Sequence, residues 1–190
     1  MYQTILSDAS FYRLLLKFDE DLAEQAGKAL CDCGGKLHSA RYPRKPRGVP
    51  EELQEDYSKR RSFCCAEEGC RKRTTPPSFR FLSRRVYVGA VVVLVAALRH
   101  GATAERMTQL QAIVGVSRRA VERWRQWWRE EFPQTAFWRW AKGHMASPVD
   151  VDSLPLSLLD SFQKPRAEER TIDVLRLILP LTTTSAMQEI

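Results

Sequence analysis

Two short stretches, Cys31-Asp32-Cys33-Gly34-Gly35 and Cys64-Cys65-Ala66-Glu67-Glu68-Gly69-Cys70, hold all five cysteines of the 190-residue chain. We call them the first and second cysteine clusters. Residues 36–63 separate them, and arginine and lysine flank each one. Thiolates presented from two separate turns can supply the four ligands of one tetrahedral Zn(II) ion, as in a zinc ribbon. The glycines allow the tight backbone turns that such a site needs.

Disulfides and unliganded thiols are the alternatives to a zinc site. The N-terminus, Met1-Tyr2-Gln3-Thr4, lacks the basic and apolar regions of a signal peptide, so we expect the reducing cytoplasm of a bacterium. Chance rarely collects every cysteine of a chain into two clusters. The sequence therefore favours zinc.

The ligand set is less evident than the metal. We expect Cys31, Cys33 and Cys70 to be ligands and Cys65 to be the fourth, with Cys64 as its rival. The first cluster has one spacer residue where two are usual. His38 could replace one thiolate, but we expect it on a strand of the ribbon.

Composition and charge indicate a globular protein with a polyanionic partner. The chain is 44% hydrophobic and 28% charged, and its net charge is +7. Residues 31–145 carry 23 basic and 11 acidic side chains, a net charge of +12. Such a field attracts nucleic acid, with an acidic membrane surface as the weaker alternative. The longest apolar run, Val86 to Leu98, is too short to cross a bilayer and is expected to be a core helix.

Helical spacing occurs in several parts of the chain. Residues 9–26 are expected to form an amphipathic helix with Asp8 as its N-cap, packed on the ribbon or on a partner chain. A basic loop with prolines, Tyr42 to Arg47, and an acidic patch, 51–56, follow within the ribbon. Near the C-terminus, residues 154–162 and 167–179 are expected to be short helices, and the tail is expected to be disordered.

Residues 86–132 fit three helices. The first is the apolar run, which ends at Gly101. The second starts at the N-cap Thr103 and runs through Ile113, and Gly115-Val116-Ser117 forms a turn. Ser117 then caps a third helix, Arg118 to Glu131, which Pro133 ends. This order is typical of a helix-turn-helix motif. Phe137 to Trp140 is expected to be a short aromatic turn.

Rotation by 100° per residue separates two faces of the third helix. The apolar face consists of Ala120, Val121, Trp124, Trp127 and Trp128. The polar face consists of Arg118, Arg119, Glu122, Arg123, Arg125, Gln126 and Arg129. Many amphipathic helices with a charged outer face are only surface helices. Five arginines and a glutamine after such a turn nevertheless favour a recognition helix in the major groove, because arginine reads guanine and glutamine reads adenine.

The expected DNA contacts are of two kinds. Phosphate contacts are expected from Arg44, Lys45, Arg47, Arg71, Lys72 and Arg73 of the ribbon. Base contacts are expected from Ser117, Arg118, Arg119, Glu122, Arg123 and Gln126 of the third helix.

No catalytic motif is evident. The sequence has no glycine-rich phosphate loop, no Ser/His/Asp set and no His-Glu-x-x-His pattern. The three histidines are far apart, and the acidic residues form no obvious metal-binding trio. We therefore expect a protein that is not an enzyme.

Residues 28–132 resemble a known group of proteins. The segments 33–38, 42–48, 64–73, 75–78 and 80–82 are similar to small bacterial zinc-ribbon proteins associated with mobile elements. The layout of a ribbon followed by residues 115–124 is also similar to the N-terminal DNA-binding part of insertion-sequence transposases and their stand-alone regulators. The resemblance implies a structural zinc ion and binding to element ends or an operator. It implies no catalytic activity.

The sequence thus predicts an α+β protein, mostly α. Its expected parts are an N-terminal helix (1–27), a zinc ribbon (28–84), a helix-turn-helix domain (85–145), and a linker with short helices and a tail (146–190). The expected function is sequence-specific binding of double-stranded DNA, as a regulator or accessory factor of a transposable element. A transposase and a second copy of the chain are further candidate partners. The alternatives are an adaptor that docks on a transposase or polymerase, and an RNA-binding protein.

Overall fold

The computed structural model describes residues 2–45, 49–81 and 103–183. This part of the chain is α+β and mostly helical, with a three-stranded antiparallel sheet, as predicted. The apolar run Val86 to Leu98 and the tail from residue 184 lie outside the described residues. None of the described helices combines the length and the apolar character that a bilayer crossing requires.

In chain order, the helices and strands are α1 (Tyr2–Leu6), α2 (Ala9–Lys28), β1 (Leu37–Pro43), α3 (Gln54–Tyr57), β2 (Lys59–Cys65), β3 (Arg73–Thr74), α4 (Ala104–Val114), α5 (Arg118–Gln126), α6 (Ala136–Lys142), α7 (Leu156–Ser161) and α8 (Ala167–Ile178). Short 3₁₀ turns lie before α3, α6 and α7 and after α8, and a π-helical turn, Trp127–Glu131, extends α5.

Helix α2 covers one face of the sheet. It begins where the Asp8 side chain accepts a hydrogen bond from the Ser10 amide, which confirms the predicted N-cap. It lies against β1 and β2, which is one of the two packings that the sequence predicted. The fit is close at Gly27, where an added Cβ would lie 2.9 Å from the Phe63 ring.

The sheet has the order β1-β2-β3. Strands β1 and β2 are antiparallel, with a register that pairs Leu37 with Cys65 at one end and Pro43 with Lys59 at the other. β3 adds a short third strand opposite Phe63 and Cys64. The first cluster comes just before the start of β1, and the second cluster begins at the end of β2. The two clusters therefore lie at the same end of the sheet.

The two helices predicted around the glycine turn are present. Thr103 and Ser117 cap α4 and α5 by accepting hydrogen bonds from the amides of Arg106 and Ala120. Gly115 ends α4 in the left-handed conformation at φ 63°, where a side chain would be strained. The helical course then continues to Glu131, as predicted, although its last turn is π-helical.

The structure corrects the interpretation of residues 137–140. They form part of a helix, α6, and not a short turn. The signal was present in Thr135, whose side chain accepts a hydrogen bond from the Trp138 amide and caps the helix. The three-residue spacing of Trp138 and Ala141, both buried, also fits one helical face.

The C-terminal helices form close to their predicted positions, as α7 and α8. Residues 146–153, which the sequence suggested as a linker, contain Val149 and Val151, and both pack partly buried against the core. Thr182 belongs to the predicted tail but is buried, and its hydroxyl accepts a hydrogen bond from the Ser78 amide. One hydrophobic cluster includes residues of α1, α2, α5, α7 and α8.

A buried ion pair joins α2 to the segment that follows the sheet. The Asp19 carboxylate accepts hydrogen bonds from Arg80 Nε at 2.8 Å, from the Phe79 amide at 2.6 Å and from the Ser78 hydroxyl. Both charged side chains are less than a tenth exposed. The Arg80 guanidinium also donates to the backbone carbonyls of Asp56 and Lys59 and lies over the Tyr57 ring. This network holds α2, the start of β2 and residues 78–80 together.

We expect Asp19→Asn to lower the free energy of unfolding by about 3–5 kcal/mol, because it leaves the buried Arg80 charge without its partner. Urea denaturation measures the change. Glu24→Gln is the control, since Glu24 lies on the same helix in an exposed pair with Lys28 and its loss should have no measurable effect. An Asp19→Asn protein as stable as the parent would show that the pair does not hold these elements together.

Candidate metal centre

The first cysteine cluster is a tight turn. The Gly34 amide donates to the Cys31 carbonyl at 2.7 Å, and the Cys31 amide donates to the Gly35 carbonyl at 2.9 Å. Gly34 has φ 84°, which glycine adopts without strain. The turn directs the Cys31 and Cys33 thiols toward the sheet although only one residue separates them.

The second cluster begins as β2 ends. Cys65 is the last residue of β2, and its amide donates to the Lys72 carbonyl at 2.9 Å. The amides of Cys70 and Arg71 both donate to the Glu67 carbonyl at 3.0 Å, and Arg71 has φ 47°. This turn brings Cys70 back beside Cys65.

The two turns bring four sulfurs together, those of Cys31, Cys33, Cys65 and Cys70. Their Sγ atoms all lie within 4.8 Å of one another. Cys31 and Cys70 are 3.7 Å apart, and Cys33 and Cys65 are 3.4 Å apart. These are the four residues that the sequence suggested as ligands.

The arrangement could hold a metal ion and is compatible with zinc. Zn–S bonds of about 2.3 Å in a tetrahedron place the sulfurs about 3.8 Å apart, close to the observed separations. The thiols are free, and disulfide sulfurs would lie about 2.05 Å apart. An all-sulfur set also suits a soft or borderline ion better than Mg(II) or Ca(II), which prefer oxygen.

Backbone amides favour thiolates at this site. The Gly35 amide, with the neighbouring thiols, lowers the pKa of Cys33 to about 7. The Glu67 amide favours the Cys65 thiolate, but burial and the other sulfurs outweigh it and raise the pKa of Cys65 to about 12. Ionisation of Cys33 therefore opposes ionisation of Cys65, and a bound cation would favour the thiolate form of both. Metal binding then releases protons, so the affinity should fall as the pH falls.

A surface ion pair bridges the two turns. Lys72 Nζ of the second turn donates to the Asp32 carboxylate of the first. Asp32 raises the pKa of Lys72, and the Cys31 and Cys70 sulfurs raise it further. The ammonium group therefore lies in the field of the sulfurs and would offset part of the charge of a tetrathiolate centre, which is −2 with a divalent ion.

Cys64 is outside the four-sulfur group. Its thiol donates to the carbonyls of Cys65 and Arg71 and is partly exposed. His38 lies on β1, as expected, directly opposite Cys64 in the register and exposed. The alternation of side chains along β2 places Cys64 and Cys65 on opposite faces, which explains why only one of them reaches the other sulfurs.

Gly35 is a close-approach position that the sequence did not reveal. An added Cβ would lie 2.7 Å from Cys65 Sγ, 2.6 Å from Glu67 Cγ and 3.4 Å from Cys33 Sγ. At Gly69, in the second turn, an added Cβ would have no neighbour within 4 Å. A side chain at position 35 would therefore collide with the sulfurs, whereas a side chain at position 69 would not.

The residues from which the sequence predicted phosphate contacts differ in their surroundings. Arg44 is half-buried and donates to the Pro43 carbonyl, whereas Lys45 is exposed and Arg47 lies outside the described residues. Arg73 lies over the Tyr42 ring, at 5.4 Å. Arg71 and Lys72 are exposed beside the four-sulfur group.

The expected base contacts lie on α5. Arg119 and Arg123 are exposed. Arg118 pairs with Glu122 at 2.9 Å, and Gln126 donates to Glu130 at 2.8 Å. The Ser117 side chain is used in the helix cap. The structure thus places the ribbon set and the helix set on separate elements.

Comparisons with models of protein families, with curated proteins and with solved structures find no significant match to the chain.

Gly35→Ala should weaken Zn(II) binding by at least tenfold, because the new methyl group occupies the space of the Cys65 sulfur. Competition with a chromophoric chelator measures the affinity. Gly69→Ala is the matched control and should bind as the parent does. Equal affinities for the two variants would mean that the first turn opens away from the sulfurs when it is loaded.

Cys65→Ser should abolish stoichiometric zinc, whereas Cys64→Ser and His38→Ala should retain about one ion per chain, because neither side chain belongs to the four-sulfur group. Elemental analysis of the purified proteins measures the content. Loss of zinc from the Cys64→Ser protein alone would reverse the assignment of the fourth ligand.

Proposed function

We propose that the protein binds double-stranded DNA sequence-specifically, with a structural zinc ion in its ribbon and α5 as the recognition helix. Cys31, Cys33, Cys65 and Cys70 would hold the ion with no open coordination position. A zinc ion with four protein ligands links the two turns and has no open position at which a substrate or water could react. It would fix the two turns and, through them, the basic residues that follow the second turn.

The observation that carries the proposal is the separation of faces on α5. Ala120, Val121 and Trp124 are buried, and Trp128 in the following turn is fully buried. The opposite face is exposed and carries Arg118, Arg119, Glu122, Arg123, Gln126 and Arg129. An apolar face that is buried leaves the arginine face free for a partner.

The turn before α5 supports the same interpretation. A three-residue connection joins α4 to α5, with a left-handed glycine, the buried Val116 and the capping Ser117. The N-terminal turn of α5 carries Arg118 and Arg119 outward. In helix-turn-helix proteins, the N-terminal residues of the second helix contact the base edges.

The charge distribution favours a polyanion. The net charge of +12 over residues 31–145 contrasts with the acidic segments on either side. Arg71, Lys72 and Arg73 follow the metal site on one short stretch and are all exposed. They are suited to phosphate contacts, which give affinity without sequence preference. The resemblance to mobile-element proteins favours a target at an element end or an operator.

Arg119→Ala should cost about 1–3 kcal/mol on a selected cognate duplex and little on random duplex, because base contacts carry specificity. Arg73→Ala should weaken both alike and flatten the salt dependence by about one unit. If about six phosphates are neutralised, the parent slope of log K against log salt should be about −5. Fluorescence anisotropy with a selected and a scrambled duplex measures all three quantities.

Arg166→Ala is the control, since Arg166 is an exposed arginine at the start of α8, paired with Glu169 and distant in sequence from the basic segment. It should bind both duplexes as the parent does. A parent slope near zero, or equal affinities for the selected and scrambled duplexes, would contradict the proposal.

A further inference from the structure

Trp140 is the exposed tryptophan of the described chain. It lies on α6 and is 61% exposed, while Trp138 and Ala141 of the same helix are buried. The tryptophans of the preceding helical segment are buried or half-buried. Solvent exposure of a large indole on an ordered helix is unusual for a residue that only contributes to the core.

The indole of Trp140 is backed by a second ring. The His144 ring lies 4.5 Å from it, at an interplanar angle of 32°, and His144 Nδ1 is 2.9 Å from the Trp140 carbonyl oxygen. The Phe137 ring lies 6.4 Å away on the other side along the helix. These contacts favour the observed orientation of the indole, so that stacking of a ligand would cost little further side-chain entropy of Trp140.

A stack of buried rings connects α6 firmly to α5. Trp128, in the π-helical turn that extends α5, lies 4.8 Å from Phe132, and Phe132 lies 5.0 Å from Trp138 of α6. All three side chains are almost fully buried. The exposed indole therefore keeps a fixed position relative to the arginine face of α5.

Cationic side chains are exposed on α6. Arg139 comes directly before Trp140 and lies about 100° from it around the helix axis, whereas Lys142 lies about 160° away. Basic groups beside an aromatic surface suit a ligand that carries a flat ring next to a phosphate. They disfavour a basic peptide, and the single exposed ring is too small an apolar area for a stable protein interface.

We propose that Trp140 and His144 form a stacking platform for one unpaired nucleobase, with Arg139 contacting an adjacent phosphate. The proposal depends on the DNA binding assigned to α5, because the same molecule would supply the duplex to α5 and the unpaired base to α6. The faces of paired bases are covered by their neighbours, so the platform requires a single-stranded extension or an extruded base. The preferred ligand would be a junction between duplex and single strand.

The experiment compares a selected duplex with blunt ends and the same duplex with a short single-stranded extension. The parent protein should bind the extended form about tenfold more tightly, within the range that base–aromatic stacking provides. Trp140→Ala should bind both forms at the affinity of the blunt duplex. Trp140→Tyr should keep most of the preference because tyrosine also stacks.

Leu14→Ala is the matched control, since Leu14 is an exposed apolar residue on α2 and should keep the full preference. Tryptophan fluorescence gives a second readout: the extended DNA should quench the parent and should not quench Trp140→Ala beyond the effect of the blunt duplex. A parent without preference, or a Trp140→Ala protein that keeps the preference, would overturn the proposal.

The design separates this proposal from the function assigned to α5. If the parent binds the blunt duplex sequence-specifically but shows no extension preference, only the platform is wrong. If blunt duplex is not bound and extended DNA is bound through Trp140, the platform stands and the role of α5 as recognition helix fails.

Discussion

The convergence of four sulfurs on one point is the constraint on which the three-stranded sheet depends. Cys31 and Cys33 come from a turn before β1, whereas Cys65 and Cys70 come from the end of β2 and the turn after it. Only one register of β1 against β2 places Cys65 beside Leu37. A slip of one residue would move Cys65 to the opposite face of the sheet and replace it with Cys64. The four-sulfur group and the strand register therefore specify each other.

A sheet this small needs support beyond its own hydrogen bonds. Its third strand has only two residues, and isolated small sheets are marginally stable. Three features support it: the four-sulfur group at one end, the close packing of Gly27 on Phe63 across its face, and the Asp19–Arg80 pair beyond its other end. The chain thereby joins α2 and the sheet into a single unit.

Sequence reasoning succeeded where the signal was local. The cysteine spacing gave the four converging sulfurs, and the capping residues Asp8, Thr103 and Ser117 gave the starts of three helices. It was less successful where distant residues meet. Nothing near Asp19 in the sequence indicates Arg80 as its partner, and the tight contact at Gly35 exists only once the two turns meet. The interpretation of residues 137–140 as a turn was wrong because it considered only the aromatic residues and not the N-cap at Thr135, which begins a helix.

The four-sulfur group and the arginine face of α5 have different roles in the proposed function. The sulfurs would fix the shape of the ribbon, and the arginines of α5 would read the duplex. The central claim is that the four sulfurs bind zinc, and X-ray absorption at the zinc edge tests it most directly. We expect four sulfur scatterers at about 2.3 Å and no nitrogen or oxygen in the first shell. A shell that contains nitrogen, or fewer than four sulfurs, would contradict the account.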